Sequence, residues 1–290
     1  MPISSTSVNA SSSSNSVVSK SGSRLAPIQT YEGHEGSVLC VTFFQGEQRL
    51  VTGSWDGGVR VWNRETGAQI GHALKAHTNV VNAVDVSPDG RTIASGSEDR
   101  MVRIWYAETE GLLRILGHEG TVTSVHISPD SKRVASGSRD GRLTVWDSST
   151  GDHIRTWKAH DNLITSLSLS PNGTHLATCT RFEKVAFVFD VTTGERSRPA
   201  PIQTYEGHES LISCVAFFQD EQRLVTGSVD GDVRVWHRET GAQIGNPLKG
   251  HTKTVHMVDV SPDGRTIASG SYDKTVRIWD AATEELLHTL

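Results

Sequence analysis

The chain has 290 residues, 36% of them hydrophobic, which is enough for one large domain or two smaller ones with a sizeable buried core. Its net charge of −5, with no run of Lys or Arg, lacks the basic footprint a nucleic acid requires and excludes one as the main ligand. No stretch approaches 18 consecutive apolar residues, so no membrane span is expected, and three cysteines (Cys40, Cys179, Cys214) read as reduced, partly buried thiols instead of a disulfide framework.

Residues 1–24 contain 11 serines and almost no apolar side chain. Such a segment cannot offset its own ordering entropy and is expected to be a disordered tail. It has no apolar core for a secretory signal, so the expected compartment is the cytoplasm, with the nucleus as the alternative. From residue 25 onward the chain is repetitive. A Gly-His or Ala-His pair recurs at His34, His77, His118, His160, His208 and His251, spaced by 43, 41, 42, 48 and 43 residues. Each pair precedes a short apolar run, then in most units a turn such as "SPDG" (87–90, 261–264), then a second run such as "TIASGS". An Asp-containing turn and a third run ending in Trp complete the unit: "VRVW" (59–62), "VRIW" (102–105), "LTVW" (143–146), "VRVW" (233–236) and "VRIW" (276–279). Runs of β-branched and apolar residues separated by Gly, Pro, Asp and Ser are strands joined by hairpins. No helical period of useful length occurs, so the chain is an all-β repeat protein.

The fourth unit departs from this scheme. It reads "HLATCTRFEKVAFVFD" (175–190), with one residue inserted near Phe182, no Asp in the turn, and Phe189 in place of Trp. His160 and Thr178 are therefore expected to lack two partners, and this unit to open most readily. The segment "APIQTYE" (26–32) recurs at 200–206, where it closes the fourth unit, so one outer strand is surplus. Either the two chain ends compete for one edge of a closed set of six units, or the chain is part of a longer array.

Residues 26–105 align without gaps to 200–279, and 19 of the 80 positions differ. Fourteen of the differences fall after the Gly/Ala-His pair or around the turn Asp, whereas "VSPDGRTIASGS" (86–97) is unchanged. The residue before the turn Asp runs Trp55, Glu98, Arg139, Val229 and Tyr272. A structural position would demand one side-chain type; a position sampling aromatic, acidic, basic and aliphatic character reads as part of a recognition surface.

The Gly-His, Ser/Thr-x-x-x-Asp and Trp-Asp spacing resembles the WD-repeat (WD40) family across residues 25–290. The resemblance implies a β-propeller of six four-stranded blades, at about 34–75, 77–116, 118–158, 160–206, 208–249 and 251–290. It also implies a hydrogen-bonded His, Ser/Thr, Asp and Trp set in each blade: His34/Thr52/Asp56/Trp62, His77/Ser95/Asp99/Trp105, His118/Ser136/Asp140/Trp146, His208/Thr226/Asp230/Trp236 and His251/Ser269/Asp273/Trp279. A buried imidazole needs both nitrogens satisfied, which a turn Asp and a relaying hydroxyl supply. Five such sets at one repeat length are framework and not five hydrolase sites. The variable positions adjoin these sets and share one end of the propeller, its top face. The expected partner-binding residues there are Ser37, Leu39, Trp55, Val80, Asn82, Glu98, Thr121, Thr123, Arg139, Leu211, Ser213, Val229, Thr254, His256 and Tyr272.

No HExxH, CxxC, GxSxG or phosphate-binding GxxxxGK[ST] motif occurs, and the remaining histidines do not cluster at ligand spacing. The expectation is a non-catalytic propeller that binds a protein or peptide on its top face, with no nucleic acid, membrane, metal or small-molecule cofactor. High internal identity with variation at one end resembles the WD-repeat arrays of fungal vegetative-incompatibility (NACHT/NLR-like) proteins, which implies a ligand-sensing role. The alternative is a constitutive scaffold subunit, as in ubiquitin-ligase receptors, chromatin complexes or G-protein-β-like adaptors. An enzyme is the third and weakest reading.

Overall fold

The computed structural model describes residues 29–46, 48–192 and 200–290. The expected disordered tail (1–24), the first three residues of the "APIQTYE" segment and part of the linker after the fourth unit lie outside these. Twenty-four strands form six antiparallel sheets of four, each a blade, arranged as a six-bladed propeller. Blade 1 comprises β1 (Val38–Phe43), β2 (Arg49–Ser54), β3 (Gly58–Asn63) and β4 (Gln69–Lys75). Blade 2 comprises β5 (Val81–Val86), β6 (Thr92–Ser97), β7 (Met101–Tyr106) and β8 (Leu112–Gly117). Blade 3 comprises β9 (Val122–Ile127), β10 (Arg133–Ser138), β11 (Arg142–Asp147) and β12 (His153–Lys158). Blade 4 holds β13 (Ser166–Leu169), β14 (His175–Cys179), β15 (Val185–Asp190) and β16 (Gln203–Glu206). Blade 5 holds β17 (Ile212–Phe217), β18 (Arg223–Ser228), β19 (Val233–His237) and β20 (Gln243–Leu248), and blade 6 holds β21 (Val255–Val260), β22 (Thr266–Ser271), β23 (Val276–Asp280) and β24 (Leu286–Thr289).

Strands pair only with their sequence neighbours, as short hairpin turns dictate. The turn between the second and third strands needs a left-handed residue. Gly141 (φ 81°) serves in blade 3, where a Cβ would meet the His160 carbonyl oxygen at 2.0 Å, whereas Arg100 and Lys274 adopt the same conformation in blades 2 and 6.

The core is not one cluster but five, each filling the junction of two successive blades. Between blades 1 and 2, for example, Val51, Val59, Val61 and Leu74 meet Val81, Val84, Ile93 and Trp105. The innermost strands pack side by side in turn, β1 on β5, β5 on β9, β9 on β13, β13 on β17 and β17 on β21, and no comparable packing joins β21 back to β1.

Two expectations are corrected here. The segment 29–32 is not a strand: Gln29 and Tyr31 instead bond to the backbone of blade 1 through the carbonyls of Glu65 (2.8 Å) and Arg64 (3.1 Å). Blade 4, although its β13 is short, does not leave its histidine without partners. His160 Nδ1 lies 2.9 Å from Glu183 Oε2 and its Nε2 2.9 Å from Thr178 Oγ1. The residue inserted near Phe182 places Glu183 one position later in the turn, and its extra methylene lets the carboxylate reach where an Asp acts in other blades.

Candidate functional site

The framework sets come first because they fix the top face. In blade 1, His34 Nδ1 is 2.8 Å from Asp56 and its Nε2 2.8 Å from Thr52 Oγ1, which accepts from Trp62 Nε1 at 2.7 Å. The same chain runs through His77, Asp99, Ser95 and Trp105, through His208, Asp230, Thr226 and Trp236, and through His251, Asp273, Ser269 and Trp279, at 2.7–3.0 Å throughout. The directions agree: indole N–H donates to the hydroxyl, the hydroxyl to Nε2, and Nδ1–H to the carboxylate. The carboxylate also accepts the backbone N–H two residues onward, as Asp99 does from Met101 at 3.0 Å, so each set ties a loop to its hairpin turn. Burial opposes ionisation of Asp56, Asp99, Asp230 and Asp273. Their hydrogen bonds from His and backbone outweigh it, and each carboxyl sits below the usual range.

The third set is not assembled in this way. Trp146 Nε1 reaches Ser136 Oγ at 3.2 Å, but His118 Nε2 pairs with Thr144 Oγ1 at 3.1 Å and its Nδ1 has no hydrogen-bond partner among the described residues. Asp140 instead engages Ser138 and Arg142, the latter at 3.3 Å. The cause is a local exchange. Thr144 stands where the other Trp-containing blades carry Arg60, Arg103, Arg234 and Arg277, and the arginine has moved to position 142, from which it draws Asp140 away. Blade 4 replaces the indole by Phe189, and Phe187 stacks on His160 with ring centres 5.0 Å apart.

Above this framework, one backbone bond recurs. The residue before the turn Asp donates its N–H to a carbonyl at the start of the innermost strand: Trp55 to Ser37, Glu98 to Val80, Arg139 to Thr121, Val229 to Leu211, and Tyr272 to Thr254. The two variable regions are thereby joined in five blades, at the end of the sheet opposite the turn that holds Gly46 and Asp220. Trp55 (64% exposed), Tyr272 (55%), Arg139 and Val229 project into solvent, and Glu98 is half-buried.

A third group of predicted contact residues behaves differently. Asn82, Thr123 and Ser213 reach across to the next blade, donating to the carbonyls of Val122 (2.9 Å), Ile164 (2.6 Å) and Val255. Ser213 is 2% exposed and is withdrawn from the recognition surface, since its hydroxyl is committed to the blade junction. Leu39, at the same strand position, is exposed. His256, also at that position, stands with its ring centre 3.9 Å from that of Tyr272 and takes an N–H from Arg181 at 2.5 Å. Burial and the neighbouring guanidinium both hold the His256 imidazole below its ordinary value, so it is a neutral acceptor.

Sequence reasoning missed Arg181 and the exposed Phe182, which blade 4 contributes to this face from its irregular turn. It also missed the channel-lining position occupied by Asp85, His126 and Asp259. Burial pushes the Asp85 carboxyl upward, it accepts the Ile127 N–H at 2.7 Å, and His126 lies 4.0 Å from it, whereas Asp259 is exposed. The signal was available, since these side chains alternate with core residues along the innermost strands. Among the described residues no His, Cys, Asp and Glu group forms a metal cluster, and no helix is long and apolar enough to cross a membrane. The thiols are inert nucleophiles: burial pushes Cys40 and Cys179 up to about 12 and Cys214 higher.

The family model described as WD domain, G-beta repeat matches six times, at residues 25–63, 68–106, 110–147, 151–190, 199–237 and 242–280. Among curated relatives, a guanine nucleotide-binding protein subunit beta of Zea mays is 29% identical over 230 residues, covering 74% of this chain and 59% of the relative. The small ribosomal subunit protein RACK1y of Oryza sativa subsp. japonica is 45% identical over 76 residues, covering 26% and 22%. The apoptotic protease-activating factor 1 of Rattus norvegicus is 27% identical over 211 residues, covering 71% of this chain and 16% of that protein. The chain thus spans about three fifths of the length of the G-protein relative.

Proposed function

The chain belongs to the WD-repeat family, and on that premise we propose that it is a non-catalytic propeller that binds a protein or peptide on the face formed by Trp55, Glu98, Arg139, Val229 and Tyr272. One observation carries the reading. Five blades hold this position by the same backbone hydrogen bond, yet carry five different side chains there, four of them exposed and Glu98 half-buried. Constant backbone with varied, exposed side chains is how a rigid scaffold displays a recognition surface. Arg181, Phe182 and His256 extend the surface, giving it the aromatic and arginine content that carries interface energy. A ligand-sensing role of the incompatibility type is the finer form of this reading, supported by the fidelity of the copied frame against variation at one end. The scaffold reading is supported by the relatives with a G-protein subunit and a ribosomal-subunit protein among them.

The test is affinity capture with the tagged full chain, followed by binding constants for the captured partner. Alanine at Trp55, Arg139 or Tyr272 is expected to weaken binding by about 1–2 kcal/mol each, with folding unchanged. Exchanging Gly46 and Asp220, which differ between the copies at the opposite end, is expected to have no effect. Full binding by the triple alanine variant, together with loss in the exchange variant, overturns the face assignment.

A further inference from the structure

Four blades fill one spot in the same way. Two residues before the Trp, Arg60, Arg103, Arg234 and Arg277 bring a guanidinium beside the loop that carries the framework histidine. A Cβ built on Gly33, Gly207 or Gly250, the residue before that histidine, would meet Nη1 of the arginine within 3.3 Å. In blade 2, Arg103 Nη1 lies 2.5 Å from His77 Nδ1 and 2.7 Å from Asp99. In blades 1 and 5, Gln69 and Gln243, opposite the Trp on the fourth strand, accept from Arg60 and Arg234 at 2.5 and 2.8 Å.

Blade 3 keeps the walls of this spot and lacks the arginine. Thr144 stands in its place, and a Cβ on Gly117 would meet nothing within 4 Å. The result is a cavity of about 140 Å³, lined by Gly117, His118, Glu119, Thr144, Trp146 and His153 among others. His118 is 9% exposed, and its Nδ1 is buried without a hydrogen-bond partner among the described residues. The groups on its other side form a chain: His118 Nε2 to Thr144 Oγ1 at 3.1 Å, on to Thr156 Oγ1 at 2.8 Å, and to His153 Nε2 at 2.7 Å. Run outward from His118, with Nε2–H donating and each hydroxyl passing the donation on, the chain is satisfied throughout and leaves Nδ1 as a bare lone pair. At the mouth two carboxylates share one cation. Arg142 Nε lies 3.0 Å from Glu119 and 3.3 Å from Asp140, so these three groups carry one net negative charge.

We propose that this cavity is a receptor for a guanidinium group, supplied by an arginine side chain of the protein partner; the second half rests on the recognition-face reading above. A buried lone pair needs a donor, and a guanidinium has donors only. Its planar shape suits the indole of Trp146, as Arg277 lies over Trp279 at 5.9 Å. The negative charge at the mouth favours a cation over a neutral amide. An ammonium is a compact, strongly hydrated point charge that matches neither the lone pair nor the indole face as well. The opening lies at the end of blade 3 that carries Arg139, within the face assigned to the partner.

The probe is N-acetylarginine amide, titrated into the full chain labelled with ¹⁵N-histidine, with N-acetyllysine amide for comparison. The ring-nitrogen signals of His118, identified by their loss in His118→Asn, report the site. The expected result is a saturable shift of the Nδ1 signal, with the lysine compound binding at least about tenfold more weakly. Thr144→Arg restores the arginine of the other blades, and Gly117→Leu grows a side chain into the same space. Each should abolish the shift while leaving the melting temperature within a few degrees of the parent or above it. No saturable shift in the parent chain overturns the proposal, as does equal binding of the two amides or full binding by both filled variants. A shift that appears only in Arg142→Gln shows that Arg142 occupies the cavity itself, which also overturns it. None of these outcomes involves the partner, so the recognition-face reading keeps its own test. In a separate arm, the captured partner should bind Thr144→Arg at least about tenfold more weakly than the parent chain. Unchanged partner affinity in a variant that has lost the amide overturns the assignment of the guanidinium to the partner.

Discussion

Asp99→Ala in blade 2 tests the framework where the geometry is most complete. Asp99 Oδ2 accepts from His77 Nδ1 at 2.9 Å, from the Thr78 N–H at 3.2 Å and from Arg103 Nη1 at 2.7 Å, and both side chains of the Arg103 pair are more than nine-tenths buried. Truncation leaves a buried imidazole donor unpaired, worth about 1–3 kcal/mol. It also strips a buried guanidinium of its counter-charge, worth about 3–5 kcal/mol in comparable pairs. Since one oxygen serves both, the losses overlap, and the expected total is about 3–4 kcal/mol. The paired control is Asp140→Ala in blade 3, where the carboxylate does not touch His118 and is 40% exposed. Its loss should be about 1 kcal/mol. Urea unfolding followed by tryptophan fluorescence measures both. Equal losses in the two variants, or an unchanged midpoint for Asp99→Ala, refute the account of the set as a unit whose value depends on closure around the histidine.

Blade 4 gives a related test: Glu183→Ala should destabilise by about 1–3 kcal/mol by orphaning His160 Nδ1, and Glu183→Gln, which keeps an acceptor, should recover most of the loss; equal effects of the two in thermal melts would show that the contact is incidental. Stability should also depend on pH with a definite sign. Burial lowers His77 and His118 below the ordinary histidine value, so the unfolded chain binds more protons there, and stability is full above about pH 6.5 and falls as pH drops through it. The lowered carboxyls of Asp56 and Asp99 add a second loss as pH falls below about 4; a urea midpoint constant from pH 8 to pH 4 would contradict the buried neutral histidines.

The blades were legible because strand alternation and turn chemistry repeat at a fixed period, and a period survives local noise. What escaped were features set by one side chain's reach. Glu183 is invisible to a search for Asp at a fixed offset, because the insertion and the longer side chain cancel only in three dimensions. The His118 set failed for the opposite reason: every expected residue type is present, but exchanging the sites of Arg and Thr at 142 and 144 redirects Asp140. Ser213 varied between copies as a recognition residue would, yet its hydroxyl faces the next blade, because sequence variation marks a position without saying which way it points.

The same reasoning bears on what variation at one end of this propeller means. Leu39, Asn82, Thr123, Ser213 and His256 occupy one strand position, and three of the five bind the neighbouring blade's backbone. Differences there alter how blades join. Trp55, Glu98, Arg139, Val229 and Tyr272 occupy the other, and their backbone bond is indifferent to the side chain it carries. This second position can change without cost to that bond. A frame copied nearly to the letter alongside free change at this position is what a recognition surface on a fixed scaffold requires. The side chains unchanged between the two copies, His34, Asp56, His77 and Asp99 with their counterparts His208, Asp230, His251 and Asp273, are spent on holding it still.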